Sequence, residues 1–518
     1  MGSIAQPVKI GPFTGGLNIY SDPSAIGDTE CADINNFDID LDGTLVSRPP
    51  VTMIAGTATA NGWTILGYFT WTNGVVYIIF SLKQASGTYF YNTSTLAFTL
   101  ITATISATSM VQYANKVFLV SPPTSGNPGG SWDPTAGFAT IATMPHGVTA
   151  CLYKERMYIG SGIEHTTPSR LFFSLASNPA GAWAGTDFLD VNNGDGQDII
   201  KIVSYNGAIV VFKINSIYMF AYDSAPTKGA VQILSSTIGL TSTESVEVFE
   251  GILYMMYNNF VYMVTNWNWE QINVKVPFVY VNTHLGTSST DYSVSVIGNR
   301  LVCKYFDIYY VYGLKTKAWT KWTFTADAQL FPAKFWKYPI ADPATGIARY
   351  FSTCALFTVS AANVMQVLRD TYDNVSSESM LCSVRSKTYN FNVPYSYKRL
   401  FWWGSDLLSN SLIDAKIIPV TYGVPVTWDQ LSAYTWDELA SNAWNQPLDV
   451  ILDVTDSADI HNTSGVRMFV KWLKSIRFRQ LSFDVSSTVD GTTTTGPFRL
   501  FSITAFVANK QLSNKKIN

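Results

Sequence analysis

The residues whose spacing could do chemistry lie near the start of the chain. Asp38-Ile39-Asp40-Leu41-Asp42-Gly43 places three carboxylates at alternating positions before a glycine, as in the opening of a calcium-binding loop. Such a loop ends on a bidentate Glu at its twelfth position, and here that position is Pro49. The other reading is a hairpin, with residues 36–40 as one strand, Asp42-Gly43 as the tight turn and residues 44–48 as the return. The hairpin is preferred. Asp38, Asp40 and Asp42 stay as the calcium candidates, and no other metal or cofactor site is expected. Asn193-Gly194-Asp195-Gly196 is a second Asp/Gly cluster and reads as a turn ahead of a strand over 198–203. Residues 11–16 hold glycines but no phosphate-loop lysine, and no helical pattern follows.

Catalytic patterns are scarce. The chain has no Gly-x-Ser-x-Gly elbow and no His-Glu-x-x-His. Glu164 beside His165 reads as a pair of turn residues. Trp267, Trp269 and Glu270 could stack a sugar and supply an acid, but paired carboxylates at a glycosidase separation cannot be located from a sequence. The four histidines, His146, His165, His284 and His461, do not cluster along the chain. The five cysteines, Cys31, Cys151, Cys303, Cys354 and Cys382, are odd in number and sit mostly in strand-like runs, which reads as buried free thiols. Trp428, Trp436 and Trp444 recur every eight residues, as a packed loop or an aromatic platform for a glycan. Arg467, Lys471, Lys474, Arg477 and Arg479 form a basic cluster. Arg477 and Arg479 alternate on a strand and share one face, which marks them as candidates for a contact with a neighbouring subunit. No catalytic residue is assigned, and the expectation is a protein that is not an enzyme.

The elements that would position these residues follow a repeat. A polar turn before a β-branched and aromatic run returns about seven times, at intervals of roughly forty to fifty residues. The turns are Asn73-Gly74, Asn115-Lys116, Lys154-Glu155-Arg156, Asn206-Gly207, Glu250-Gly251, Gly298-Asn299-Arg300 and, more weakly, Thr345-Gly346 ahead of Ala348 to Phe351. Hairpins at this period predict a β-propeller of six or seven blades. Composition agrees, since 14% of residues are aromatic and only 14% charged, against the usual quarter. The fold class is therefore all-β. Three regions are expected: an extended N-terminal arm with one hairpin over 1–60, the propeller over 61–380, and a β-sandwich carrying the Trp-rich loop over 381–518. The arm, rich in Gly, Pro and Asp, is expected to serve assembly more than subunit folding.

The net charge of −3 argues against a surface that grips nucleic acid throughout. No secretion signal is visible, and no run approaches the roughly twenty apolar residues of a membrane helix. Unpaired cysteines suit assembly in a reducing cytoplasm.

Both ends of the chain carry a resemblance. Gly15-Gly16-Leu17-Asn18, Asp22-Pro23, Ala32-Asp33, Asn35-Asn36, Asp40-x-Asp42-Gly43-Thr44-Leu45 and Arg48-Pro49 are similar to the opening of bacteriophage tail proteins. Arg385-Ser386-Lys387, Lys398-Arg399-Leu400-Phe401-Trp402-Trp403 and Arg499-Leu500-Phe501-Ser502-Ile503 extend the likeness at the other end. The pattern resembles propeller-containing nozzle or hub proteins of short-tailed phages and minor tail proteins of long-tailed ones. The resemblance implies a structural virion protein, assembled in the host cytoplasm and located in the tail. It implies a homo-oligomeric ring, commonly of six copies, held by portal and adaptor. Genomic DNA would pass through the ring without sequence-specific binding, and the ring would retain the genome until ejection. A receptor- or glycan-binding minor tail protein is the alternative, and a glycan-degrading propeller enzyme the third reading. In a DNA channel, the basic cluster is expected to face a neighbour or solvent, because phosphates held by Lys and Arg would slow passage.

Overall fold

The computed structural model describes residues 6–49, 51–53, 63–82, 87–95, 97–278, 291–306, 308–324, 334–337, 340–341, 348–349, 355–359, 364–368, 379–391, 398–408, 414–422, 450–451, 466–478, 480–490 and 498–509. Their regular structure is all β, apart from one 3-10 turn at Pro226–Lys228.

Seven antiparallel four-strand units make a propeller. Blade 1 comprises Trp63–Thr70, Val76–Leu82, Thr88–Asn92 and Ala97–Thr102; blade 2, Ser109–Tyr113, Lys116–Val120, Gly130–Asp133 and Gly137–Thr140. Blade 3 comprises Thr149–Tyr153, Arg156–Gly160, Arg170–Phe173 and Phe188–Asp190; blade 4, Ile199–Tyr205, Ala208–Lys213, Ile217–Ala221 and Ala230–Ser235. Blade 5 comprises Val246–Phe249, Ile252–Tyr257, Phe260–Thr265 and Asn268–Gln271; blade 6, Tyr292–Ile297, Arg300–Tyr305, Ile308–Gly313 and Trp319–Trp322. Blade 7 takes Trp336–Lys337, Ala355–Val359 and Val364–Leu368, and its fourth strand is Val51–Met53 from the start of the chain.

Packing explains why the pattern repeats. The first strands of neighbouring blades abut around the axis, and each second strand lies between two blades. Ala208–Lys213 is accordingly buried at every position. Each blade-to-blade interface has its own apolar cluster, from the blade 1–2 group around Phe69, Leu119 and Trp132 to the blade 7–1 group in which Trp336 packs on Ile78 and Phe80. Such clusters join all seven interfaces among the described residues, so the ring of blades is closed.

The polar turns are the links between the first and second strands of blades 1–6. Each carries a left-handed residue, as a hairpin turn that matches strand twist requires. Asn206 and Gly207 have φ of 45° and 75°, and Glu250 and Gly251 have φ of 49° and 75°. Blade 3 does this without glycine or asparagine: Lys154 and Glu155 have φ of 45° and 59°. Their strain is held from outside. The Lys154 amine donates to the Tyr222 carbonyl, and Ser177 donates from its hydroxyl to the Glu155 carboxylate. The seventh repeat is placed differently from its sequence signal. Ala348–Arg349 pairs with Ile340–Ala341 in a separate ribbon, and the blade's hairpin is instead Ala355–Val359 with Val364–Leu368; Thr345-Gly346 lies outside the described residues.

Two further sheets face each other as a sandwich. One joins Phe37–Ile39, Leu45–Ser47, Arg499–Asn509, Lys398–Leu408 and Val466–Phe478, with Gln6–Ile10 on Arg499–Asn509. The other runs through Glu30–Asn35, Ser379–Ser386, Gln480–Asp490, Asp414–Tyr422 and Val450–Ile451, with Gly16–Leu17 beside Glu30–Asn35. Their shared core unites Ile10, Phe13, Ile34, Phe37 and Leu45 with Cys382, Leu400, Phe483 and Ile503.

The N-terminal segment is extended and contains the expected hairpin, but it is not an arm free of the subunit core. It supplies strands to both sandwich sheets and the closing strand of the propeller, because its apolar residues alternate and fill that core. The propeller therefore draws on residues before 61, and the sandwich on residues 6–47 as well as those after 379.

Candidate functional site

Three places in the described structure gather charged side chains under cover: the joint between propeller and sandwich, the propeller axis, and the interface of blades 3 and 4.

The joint is built on Arg48, which is fully buried. Its Nε donates to Asn36 Oδ1 at 3.0 Å, Nη1 to the Pro49 carbonyl at 3.0 Å and Nη2 to the Thr323 carbonyl at 2.9 Å. The guanidinium lies 4.4 Å from the centre of the Phe324 ring. Asn36, left-handed at φ 57°, donates from Nδ2 to the Leu381 carbonyl at 2.8 Å, and its Oδ1 accepts from the Thr323 amide at 2.8 Å. Arg48 and Asn36 thus bind the end of blade 6 to the sandwich. At Asn35↔Lys321 the outer strand of blade 6 continues into Glu30–Asn35, which makes one sheet of blade and sandwich. Glu30 adds a second tie. Its Oε2 accepts from Asn18 Nδ2 at 2.8 Å and the Gly27 amide at 2.7 Å, and Lys275 of the blade 5–6 link lies 2.7 Å from Oε1. Burial works to raise the Glu30 pKa, but Lys275 and these donors outweigh it and hold it below the usual value.

The calcium candidates fall into this joint and its hairpin. Asp38 Oδ2 pairs with Arg300 Nη2 at 2.8 Å, and its Oδ1 accepts from Trp322 Nε1 at 3.2 Å. Asp40 Oδ1 accepts from the Leu41 amide and Asp42 Oδ1 from the Thr44 amide, both at 2.9 Å. The two amide bonds brace the turn in which Gly43 has φ 82°. The three carboxylates thus serve three different partners, and the strand–turn–strand of the hairpin is what their alternation encodes. Among the described residues no group of three or more His, Cys, Asp or Glu side chains converges as metal ligands.

The axis holds a set of charges that the sequence reading missed. Lys201 lies in the first strand of blade 4 and Glu247 in that of blade 5, with Glu244 just before it. Lys334 immediately precedes blade 7, and its Nζ stands 2.9 Å from Glu244 and 3.6 Å from Glu247. These ion pairs run from the residues leading into blade 7 to those at the start of blade 5, past the inner strand of blade 6, where the Phe335 amide donates to Ser295 Oγ. Burial opposes the charge on Lys334, yet the two carboxylates outweigh burial and raise its pKa. Burial likewise disfavours the Glu244 anion, but Lys334 and Lys201 bring its pKa down to about 2. Lys201 is shifted downward, by burial and by Lys334, against the pull of Glu244. Nearby Cys151 is pushed up to about 12 by burial, with Lys201 opposing. Glu244 is thus ionised and the Cys151 thiol protonated at neutral pH. Two lysines and two glutamates neutralise one another and brace the inner rim.

A second buried pair sits between blades 3 and 4. Lys213 is fully buried, with Nζ 2.8 Å and 2.9 Å from the two oxygens of Asp195 and 2.9 Å from Ser169 Oγ. Asp195 also accepts from the Tyr218 hydroxyl at 3.0 Å and the Gln197 amide at 3.0 Å. The Asn193–Gly196 turn therefore presents one carboxylate to a buried lysine. A lone lysine inside an apolar strand, as at Lys201 and Lys213, is the signal that could have found both clusters.

The remaining candidates disperse. Trp267 in the turn and Trp269 in the strand of blade 5 pack edge-on against Tyr205 and Tyr262 with centroids 5.2 Å and 6.3 Å apart; Glu270 is exposed between half-buried neighbours. Alternation puts Glu270 on the opposite face from Trp269, so the suggested sugar stack and acid do not converge. His165 Nδ1 meets the Thr167 amide at 3.0 Å, and His146 Nδ1 is 2.7 Å from Ser121 Oγ. Cys31, Cys303 and Cys382 are buried and Cys151 is half-buried, all four outside any disulfide. Arg477 stands opposite Arg399 in the strand register. Arg479, the Trp428–Trp444 segment, Cys354, His284 and His461 lie outside the described residues. No described helix is long and apolar enough to cross a membrane.

No family model matches the chain, and no curated protein matches it. Solved structures do. The extracellular domain of a putative hybrid two-component system from B. thetaiotaomicron aligns at 11% identity and TM-score 0.38, over 70% of this chain and 45% of that one. This chain therefore spans less than half the length of that relative. The WD40 domain of Neurospora crassa Pan2 aligns at 7% identity and TM-score 0.36, over 60% of this chain and 95% of that one. The AfRom2 CNH domain aligns at 8% identity and TM-score 0.39, over 61% and 98%. Likeness at this level assigns no function, and the propeller rests on the chain's own sheets and clusters.

Proposed function

We propose that this chain is a structural virion protein of a bacteriophage tail, one subunit of a homo-oligomeric nozzle or hub ring that continues the DNA channel and retains the genome until ejection. The observation that supports this reading is the placement of the residues that carry the resemblance. Asn35-Asn36, Asp42-Gly43 and Arg48-Pro49 are not spread over a surface; they make the hairpin and buried joint that fix the propeller against the sandwich. A motif devoted to joining two rigid bodies suits a part whose work is to hold its shape under load. Its partners on this reading are copies of itself, a portal-adaptor assembly and DNA in transit. The axial lysines and glutamates are paired with one another, and Arg48 in the joint is spent on an amide oxygen and two carbonyls, which favours a scaffold over an enzyme. The receptor- or glycan-binding minor tail protein is the second reading; the Trp-rich loop it would use lies outside the described residues.

The test is the particle. The purified full-length chain should form a closed ring in negative-stain images, with a native mass several times that of one chain. Antibodies to it should label the tail of the phage whose genome encodes it. A monomer in solution, with no label on purified virions, would overturn the proposal.

A further inference from the structure

The loop between the second and third strands of blade 3, residues 161–169, is tied down by one imidazole. The Thr167 amide donates to His165 Nδ1 at 3.0 Å, and the Thr167 hydroxyl lies 3.1 Å from the same nitrogen. Around that bond, the His165 amide donates to the Gly162 carbonyl at 3.3 Å and the Ser161 hydroxyl to the Thr167 carbonyl at 2.6 Å. The loop is also fastened to blade 4, where the Ile199 amide donates to the Pro168 carbonyl at 3.1 Å. An amide N–H can only donate, so Nδ1 must be bare and the ring proton sits on Nε2. His146, on the link from blade 2, differs. Its Nδ1 lies 2.7 Å from Ser121 Oγ, and a hydroxyl turns to donate or to accept. Charging His146 therefore costs it no partner, whereas a proton on His165 Nδ1 sets two donors face to face.

We infer that His165 is an acid-sensitive catch: its neutral ring holds the 161–169 loop closed, and protonation of Nδ1 releases it. The groups around the ring favour the neutral form. Burial lowers the His165 pKa, and His146 on the blade 2–3 link and Arg170 on the third strand of blade 3 lower it further. Asp190 on the fourth strand is spent on Arg170, with Oδ1 2.8 Å from Nε and Oδ2 3.2 Å from Nη2. Phe172 adds only an apolar ring, set T-shaped to the imidazole at 5.7 Å between centroids. Glu164, the adjoining residue, is exposed, so water screens its charge. In the open loop the ring titrates near the ordinary value of 6.5, and in the closed loop below it. The closed form is therefore fully held above pH 6.5 and loses ground as pH falls from there to the closed-loop pKa. Release moves Ile163, already 61% exposed, and bares the rim where Gly162 seats the loop against Val148 and the Ile199 carbonyl.

The chain has four histidines, so isotope labelling of their rings gives few signals, and His165→Asn identifies the one that belongs to His165. That signal should titrate below 6.5. Hydrogen exchange of the full-length chain, corrected for the intrinsic rate at each pH, reads the opening itself. Protection over residues 161–170 should fall as the solution is acidified through pH 6.5, reaching about tenfold for each unit by which the measured His165 pKa lies below that value. His165→Asn keeps an acceptor for the Thr167 amide and has no proton to gain, so its protection should not change over the same range. A His165 signal that titrates at or above 6.5 overturns the inference. So does protection that stays constant in the parent chain, or that falls equally in His165→Asn, which would put the trigger on another group.

Discussion

The propeller and the sandwich use the same kind of strand but reach closure by opposite routes. Blade 5 is complete between Val246 and Gln271, and each of its strands pairs with the next in sequence. The sandwich pairs Gln6 with Val507, Leu45 with Leu500 and Cys31 with Ser386. Local hairpins cost little loop entropy and form early, while pairings across the whole chain must wait for both partners. Blade 7 belongs with the sandwich in this respect, since its outer strand comes from Val51–Met53. The difference teaches that the two bodies depend unequally on the first fifty residues.

The largest effect should come from removing residues 2–30. The deletion takes Ile10, Phe13 and Leu17 out of two cores and leaves Lys275 without Glu30. The expected outcome of limited proteolysis is rapid cutting between Ser379 and Asn509 with blades 2–5 protected. Native protection throughout would erase the contrast between the regions. Arg48→Ala comes next. It strands buried acceptors of Asn36, Pro49 and Thr323, at a cost of about 3 kcal/mol. Urea denaturation should show that loss, and an unchanged midpoint would mean the joint is held elsewhere.

The smallest effect tests the axis. Glu244 has its pKa lowered from 4.5 to about 2, so its stabilising contribution is present above pH 4.5 and fades as pH falls toward 2. Glu244→Gln should lower the melting temperature at pH 7 by about 2–4 °C. The difference between variant and parent should shrink below pH 4.5 and vanish near pH 2. A constant difference across that range would show that Glu244 does not brace the ring through its charge.

What the sequence made legible follows the same division. Hairpin turns announced six blades because the turn residues and their strands are neighbours, and Asn206-Gly207 needs nothing distant to be read. The seventh blade was only partly legible: its outer strand lies some three hundred residues from its other strands, so no local pattern announces it. The Gly/Pro/Asp-rich opening read as an arm because its strands are short and their partners lie at the far end of the chain. The Asp42-Gly43 turn was visible, whereas the mate of Asp38 on blade 6 was not. The axial charges were hidden for the same reason, since Lys201, Glu244 and Lys334 meet only when the blades have gone round the axis.

The clasp formed by the first and last strands also sets a timetable. Gln6–Ile10 is made roughly five hundred residues before its partner Arg499–Asn509. At ordinary ribosomal speeds the wait is on the order of tens of seconds. Throughout it, the edge of Gln6–Ile10 that will meet Arg499–Asn509 must wait without sticking to the blades forming beside it. Prolines, glycines and aspartates spaced among short apolar runs are what keeps a waiting segment soluble. The composition that gives this segment the look of a loose arm is then the composition of a latch held open, and an incomplete chain can never shut it.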